Sequence, residues 1–143
     1  MTVIFSKKCE LALQAVLFLS IKKDQIIFSS QEVSNEIKVP KEFVSKMLQT
    51  LTDSGIIGSK KGKNGGFYLA RRPSKIKLIE IVEAIDGLSV FKNCVLGFPN
   101  CSSEHPCPVH DKWGKIRDDA FKMLSEETLE QLKEKTVKKI TSL

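Results

Sequence analysis

The sequence predicts a mainly α-helical protein with a small β-wing, in which a winged helix-turn-helix head precedes C-terminal dimerisation helices. Three observations carry this prediction. Three segments before residue 56 have apolar residues at helical spacing, two short β-type segments flank a glycine-rich basic turn, and helical spacing resumes after residue 110. The 143 residues amount to about one average domain, and 41% hydrophobic residues are ordinary for a soluble globular protein.

Residues 5–20 predict the first helix. The segment, FSKKCELALQAVLFLS, is apolar on nearly every face from Leu11 onward. A helix without a polar face is a buried helix, so we expect this one to lie at the centre of the head. Cys9 lies within it and is expected to act as a small buried hydrophobe.

Two shorter helices follow and predict a helix-turn-helix. Ser29 or Ser30 can cap the helix QEVSNEI, in which Val33 and Ile37 share a face. Pro40 suits the first turn of a further helix, KEFVSKMLQTLTDSG. Its apolar stripe consists of Phe43, Val44, Met47, Leu48 and Leu51. A well-formed second helix after a tight turn is the arrangement with which helix-turn-helix proteins read DNA.

The next segment predicts a wing. Residues 56–59 and 67–70 have β-type composition and flank the polar turn KKGKNGG. The pairs Asn64-Gly65 and Gly65-Gly66 are expected to supply the positive φ angles of a hairpin tip. Lysines at such a tip suit contact with phosphates or with a narrow minor groove.

The charge distribution favours double-stranded DNA as the partner. The formal net charge is +6, but the segment between Asp53 and Glu80 holds seven basic residues and no acid, so the rest of the chain sums to −1. The alternatives are a merely solvated surface or a winged helix that contacts only proteins. The expected DNA contacts, from the third helix and the wing, are Lys41, Glu42, Ser45, Lys46, Gln49, Lys60, Lys61, Lys63 and Asn64.

The segments after the wing complete the head and extend beyond it. KIKLIEIVEAIDG is an amphipathic helix that ends near Gly87, and a helical pattern resumes at Asp111 with a break near Ser125. These last helices carry more apolar surface than the head needs, so we expect a second copy to cover it in a homodimer. The predicted domains are residues 1–88 for the DNA-binding head, 89–110 for a cysteine-rich cluster-binding loop and 111–143 for dimerisation helices.

The loop concentrates soft ligands. Cys94, Cys101, Cys107 and His110 lie within seventeen residues that also contain three prolines. Thiolate and imidazole groups at this density suit an iron–sulfur cluster, or zinc in a tetrahedral Cys3His set. Zinc is less favoured, because zinc knuckles typically pair their cysteines as C-x2-C. A thiol switch without metal is the remaining alternative.

The chain resembles the Rrf-type family of bacterial winged-helix iron–sulfur transcription regulators over almost its whole length. The features that carry the resemblance are Glu10-Leu11-Ala12-Leu13, residues 51–55, the wing signature GKNGGFYLAR at 62–71, Ile85-Asp86-Gly87 and the cysteine loop. The resemblance implies a DNA-binding regulator, expected to be a repressor, that senses iron–sulfur status, redox state or nitric oxide. It also implies Cys94, Cys101 and Cys107 as cluster ligands.

The resemblance leaves the fourth ligand open. In the IscR-like arrangement a histidine three residues after the third cysteine completes a 2Fe-2S cluster, and His110 has this spacing from Cys107. In the NsrR-like arrangement an acidic residue of the other subunit completes a 4Fe-4S cluster, and the partner subunit's Glu10 matches its position. The first gap, C-x6-C, is one residue longer than the family pattern. We favour His110 and a 2Fe-2S cluster.

Other classes of function find little support in the sequence. It has no C-x-x-C pair and no phosphate-binding glycine loop, so we predict that it is not an enzyme. It shows no apolar run long enough for a membrane span and no export signal, so we expect a cytoplasmic protein. His105 is expected to be exposed, and Trp113 to pack at the dimer helix or to shield the cluster from water.

Overall fold

A computed structural model gives the fold and describes residues 4–21 and 25–141, of which residues 137–141 are described by their backbone alone. Within these ranges the chain forms six α-helices and one two-stranded antiparallel sheet, which confirms the predicted class. None of the described helices is long and apolar enough to cross a membrane. The elements are α1 Lys7–Ile21, α2 Ser30–Ile37, α3 Lys41–Asp53, β1 Ile57–Lys60, β2 Gly66–Leu69, α4 Leu78–Asp86, α5 His110–Glu126 and α6 Leu129–Thr141.

Helix α1 occupies the centre of the core, as predicted. Its buried residues occupy one half of the helix: Cys9, Leu11, Ala12, Ala15, Val16, Leu19 and Ser20. The other half, with Leu13, Gln14 and Leu17, is partly or fully exposed, so the prediction of a helix without an exposed face holds for one half only. Ser6 precedes the helix and caps it, because its Oγ accepts a hydrogen bond from the Cys9 N–H at 3.1 Å. The Asp86 carboxylate in turn accepts a hydrogen bond from the Ser6 N–H at 2.8 Å. The end of α4 therefore fixes the beginning of α1.

Helices α2 and α3 form the predicted helix-turn-helix. Ser29 caps α2 in a capping box with Glu32, whose N–H donates to Ser29 Oγ at 3.1 Å. Lys38 then adopts a left-handed conformation, with φ at 58°, and Pro40 precedes α3. The apolar stripe of α3 faces the core, where its fully buried members are Val44, Met47, Leu48 and Leu51.

Strands β1 and β2 form the predicted wing, in a register that pairs Ile57 with Leu69. One further pairing was not predicted. Phe28, which precedes α2, exchanges two backbone hydrogen bonds with Phe67, at 2.9 and 2.7 Å, and its side chain is buried. The wing is therefore joined to the head by an isolated β-bridge that no local sequence pattern indicates.

The glycines of the wing agree with the prediction only at Gly66. Positive φ angles occur at Gly62 and Gly66, at 108° and 152°, and not at Asn64 or Gly65. Position 65 requires glycine for a steric reason instead, because a Cβ atom there would lie 2.0 Å from the Lys60 carbonyl oxygen. The hairpin tip therefore closes through a close approach of two backbone segments.

The C-terminal helices pack in part against the head. Leu124 of α5 lies in one apolar cluster with Cys9, Leu78 and Val82. Leu129 of α6 is fully buried in the main core. Some of the apolar surface from which dimerisation was predicted is therefore used within the chain. The domain assignment, which also includes terminal residues outside the described ranges, stays a prediction.

The turn between α5 and α6 lies slightly later than the break predicted near Ser125. Thr128 and Gln131 cap α6 together, because the Gln131 N–H donates to Thr128 Oγ1 at 3.2 Å and the Thr128 N–H donates back to Gln131 Oε1 at 2.9 Å. The Leu129 N–H also donates to the Ile76 carbonyl oxygen at 2.8 Å. This turn is thus hydrogen-bonded to the segment that precedes α4.

We expect Leu129→Ala to lower the free energy of unfolding by about 2–5 kcal/mol, because truncating a fully buried leucine leaves a cavity. Urea unfolding followed by circular dichroism measures this change. Leu96→Ala is the matched control, since Leu96 is 54% exposed and its truncation should change the free energy by less than about 0.5 kcal/mol. Equal losses in the two variants would contradict the position of α6 in the core of the head.

Candidate metal centre and DNA-facing surface

The three loop cysteines converge on one point. Their Sγ atoms all lie within 4.8 Å of one another, and Cys94 Sγ is 3.5 Å from Cys107 Sγ. All three, including Cys101, are partly exposed free thiols. In the part of the chain that the structure describes, no other group of three or more cysteine, histidine or acidic side chains meets this separation.

His110 begins α5 and contacts one of these cysteines. Its Nδ1 lies 3.2 Å from Cys101 Sγ. His110 does not belong to the group whose ligand atoms all lie within 4.8 Å of one another. The four candidate ligands therefore form one group, in which the three sulfurs lie close together and His110 contacts the group through Cys101.

The loop backbone stabilises one thiolate in particular. Burial alone would raise the pKa of Cys94, but the backbone N–H groups of Phe98 and Leu96 donate hydrogen bonds to its sulfur. With smaller contributions from the neighbouring thiols, these bonds lower the pKa of Cys94 to about 7. Burial and the neighbouring thiols raise the pKa of Cys107. Because metals bind thiolates, Cys94 is available to bind a metal at lower pH than Cys107.

Helix α5 holds the loop through Asn93. The Nε1–H of Trp113 and the Nη1–H of Arg117 both donate to the Asn93 carbonyl oxygen, at 3.0 and 3.1 Å. Both side chains also line a small cavity together with the four candidate ligands. Arg117 was not among the residues predicted from the sequence. The only signal for it was its four-residue spacing from Trp113, which puts the two side chains on one face of α5.

Three further cysteine, histidine and acidic residues discussed in the sequence lie outside the group of three close sulfurs. His105 is exposed, as expected, and its N–H donates to Ser102 Oγ at 3.2 Å. Cys9 is fully buried, and burial, followed by the nearby Asp86 carboxylate, raises its pKa to about 12. Glu10 lies on α1 and forms an ion pair with Lys7 at 3.5 Å. Its role as a ligand from the other subunit stays a prediction.

The donor set fits an iron–sulfur cluster. Three thiols and an imidazole line one cavity and remain partly exposed, and both ligand types hold such clusters in proteins. The donors also fit zinc, because thiolates at a Zn–S distance of about 2.3 Å stand about 3.8 Å apart in a tetrahedron. The closeness of the sulfurs alone is therefore compatible with both metals.

The outward face of α3 carries one group of predicted DNA contacts. The exposed residues of this group are Lys41, Glu42, Lys46 and Gln49, and Ser45 is partly exposed. Their spacing places them on one side of the helix, and the buried stripe on the other side holds α3 against the core. The structure thus presents them together at the surface. Their contact with DNA stays a prediction.

The second group of predicted contacts lies at the exposed tip of the wing. It consists of Asn64 and three residues that we call the wing lysines, Lys60, Lys61 and Lys63. Arg71 is engaged elsewhere, because it forms an ion pair with Glu80 at 2.8 Å. Burial alone would raise the pKa of Glu80, but hydrogen bonds from the Lys77 N–H and from Arg71 lower it. One of the seven positive charges in this segment is therefore already paired.

Comparisons with known proteins agree with this architecture. A model of the Rrf2 family, described as an iron-dependent transcriptional regulator, matches residues 5–135. A protein of Aquifex aeolicus (strain VF5), described as an HTH-type transcriptional regulator, is 32% identical over 137 residues, which cover 92% of this chain and 94% of that protein. The HTH-type transcriptional regulator NsrR of Oceanobacillus iheyensis is 27% identical over 127 residues, which cover 88% of this chain and 86% of that protein.

Solved structures share the fold. CymR (YrzC), the global cysteine regulator of B. subtilis, matches with a TM-score of 0.74 and 23% identity, over 91% of this chain and 95% of that chain. T. potens IscR matches with a TM-score of 0.72 and 20% identity, over 92% of this chain and 86% of that chain. Because the family model spans nearly the whole chain and agrees with the resemblance seen in the sequence, the chain belongs to the Rrf2 family of DNA-binding transcription regulators.

Proposed function

We propose that two copies of this chain form a transcription repressor that binds double-stranded DNA and carries a 2Fe-2S cluster. The ligands are Cys94, Cys101, Cys107 and His110. The observation that carries this proposal is the meeting of all four donors at one cavity. The three sulfurs lie within 4.8 Å of one another, and His110 Nδ1 lies 3.2 Å from Cys101 Sγ. Three thiolates and one imidazole would supply the four protein ligands that a 2Fe-2S cluster needs.

The choice of ligands suits a sensor. His110 offers a neutral imidazole where a fourth thiolate would bind more strongly. When bound, the cluster supplies redox activity and reactivity toward oxidants and nitric oxide. A weaker bond at the His110 position makes the cluster easier to lose, which suits the sensing of iron–sulfur status, redox state or nitric oxide. The description of the family as iron-dependent supports iron over zinc.

Contacts within the chain connect the cysteine loop to the DNA-facing head. Asn93 is bonded to α5, and the ring of Phe91 packs against that of Phe121 on α5, with centroids 5.3 Å apart. Leu124 of α5 shares an apolar cluster with Val82 of α4, whose end fixes the beginning of α1. An ordered loop would therefore hold α5 in one position on the head. In a dimer, this position sets the distance between the two copies of α3.

Helix α3 and the wing make the DNA contacts. In the major groove, Ser45 and Lys46 can reach base edges, and the wing lysines can reach phosphates. Ile116 and Met123 on α5 are 53% and 57% exposed, which leaves apolar surface for a second copy. A two-fold dimer would present its two α3 helices to a palindromic site.

We expect His110→Ala to alter the visible absorption spectrum and to shorten the lifetime of the cluster in air by about tenfold or more, because one iron loses a ligand. Protein purified without oxygen, with iron, sulfide and zinc assayed on the same sample, provides the measurement. His105→Ala is the matched control and should leave the spectrum unchanged, since His105 is exposed and apart from the three sulfurs.

Two outcomes would redirect this assignment. An unchanged spectrum in His110→Ala together with cluster loss in Glu10→Ala would favour a 4Fe-4S site completed by the other subunit. A colourless wild-type protein with stoichiometric zinc would contradict the cluster and favour a zinc-stabilised scaffold.

Replacing all three wing lysines with glutamine should weaken binding to random-sequence duplex DNA. The slope of log K against log salt should fall by about 3, because each lysine–phosphate contact releases about one counterion. Fluorescence anisotropy across a salt series measures the slope. The matched control makes the same three replacements at exposed lysines of α5, Lys112, Lys115 and Lys122. A slope that falls equally in both variants would contradict the assignment of the wing to DNA.

In metal-free protein, Cys94 should react with iodoacetamide much faster than Cys9 near neutral pH. The pKa of about 7 leaves Cys94 largely ionised above pH 7, whereas Cys9 is fully buried with a pKa of about 12. The rate at Cys94 should rise as the pH passes through 7 and then level off. Mass spectrometry of the peptides gives both rates. The two reaction rates should become equal in urea. Equal rates in the folded protein would contradict the predicted difference between Cys94 and Cys9.

A further inference from the structure

Arg117 has a buried N–H group that meets no hydrogen-bond acceptor in the part of the chain that the structure describes. Its Nε is buried and forms no hydrogen bond among the described residues, although its Nη1 donates to the Asn93 carbonyl oxygen at 3.1 Å. A buried donor without an acceptor costs about 1–3 kcal/mol. Such groups in native proteins usually meet an ion, a ligand or a water that completes them.

The Arg117 guanidinium is held in a defined position. Besides the hydrogen bond from Nη1 to Asn93, its Nη2 lies close to Gly114. A Cβ atom added to Gly114 would be 3.5 Å from this nitrogen. Because Gly114 has no side chain, the guanidinium can lie along α5 toward the N-terminal end of the helix. That end is where His110 and the cysteine loop are found.

The cavity that Arg117 lines is rich in sulfur. The other residues around it are Lys92, Cys94, Cys101, Cys107, His110 and Trp113. No carboxylate of a described residue forms an ion pair with Arg117. The anions that this cavity itself can offer to the guanidinium are thiolates. Lys92 lines the same cavity but is exposed, so solvent screens its charge more strongly.

We propose that Arg117 is a positioning residue for the cluster, which fixes the residue before Cys94 and directs its Nε–H and its positive charge toward the cluster's sulfur atoms. This inference rests on the proposed function. Reduction makes a cluster more negative, and hydrogen bonds and positive charge at its sulfurs stabilise the reduced form. Arg117 therefore raises the reduction potential above the value that the four ligands alone would set.

The test compares reduction potentials in anaerobic titrations followed by electron paramagnetic resonance. Arg117→Gln removes the charge and the guanidinium. We expect the equilibrium constant for reduction to fall about tenfold, which corresponds to about 59 mV for one electron. Arg117→Lys keeps the charge without the planar fork and should lower the potential by less. Lys115→Gln is the matched control, since it removes one charge from an exposed position of the same helix and should leave the potential unchanged.

The outcomes separate this inference from the function on which it rests. Wild-type protein without iron and sulfide would contradict both. A wild-type cluster whose potential is unchanged in Arg117→Gln, or falls equally in Lys115→Gln, would contradict the inference alone. Thermal unfolding of the metal-free variants is measured in parallel, because a purely structural role would lower stability without moving the potential. If Arg117→Gln does not fold, a wild-type potential in Arg117→Lys overturns the inference.

Discussion

Helix α1 is the element on which the rest of the structure depends, because α2, α3, α4, α6 and the wing all pack on it. One half of the helix is buried by these contacts, including Cys9, Ala12 and Val16. Ala12 and Ala15 are fully buried, and their small side chains let neighbouring helices approach closely. Helix α3, the wing and helix α4, which leads to the cysteine loop, are thus attached to one framework.

The cysteine loop differs from this framework because it has no core of its own. Val95, Leu96 and Phe98 are 43%, 54% and 54% exposed, and the loop is held from outside through Asn93 and by the rings of Phe91 and Phe121. Segments with few buried contacts open at low free-energy cost, which suits the proposal that this site gains and loses a cluster. The helices on either side stay fixed by the core, so a change in the loop acts on elements of defined position.

Features that local patterns encode could be predicted from the sequence alone. The central place of α1 follows from its largely apolar composition, and the inward face of α3 follows from spacings of three and four residues. The wing follows from two β-type segments around a glycine-rich turn. The candidate ligands were also visible, because four soft donors within a short, proline-rich segment have few other uses. In each case the informative residues are close together in the chain.

Features that join distant residues became known from the folded structure alone. The bridge from Phe28 to Phe67 and the burial of Leu129 beneath the head depend on which backbone groups and apolar surfaces meet after folding. The contact of His110 with Cys101 and the approach of Arg117 to Asn93 arise in the same way, from the position of α5 against the loop. The physical reason is that periodicity shows which face of an element is buried but not which partner covers it.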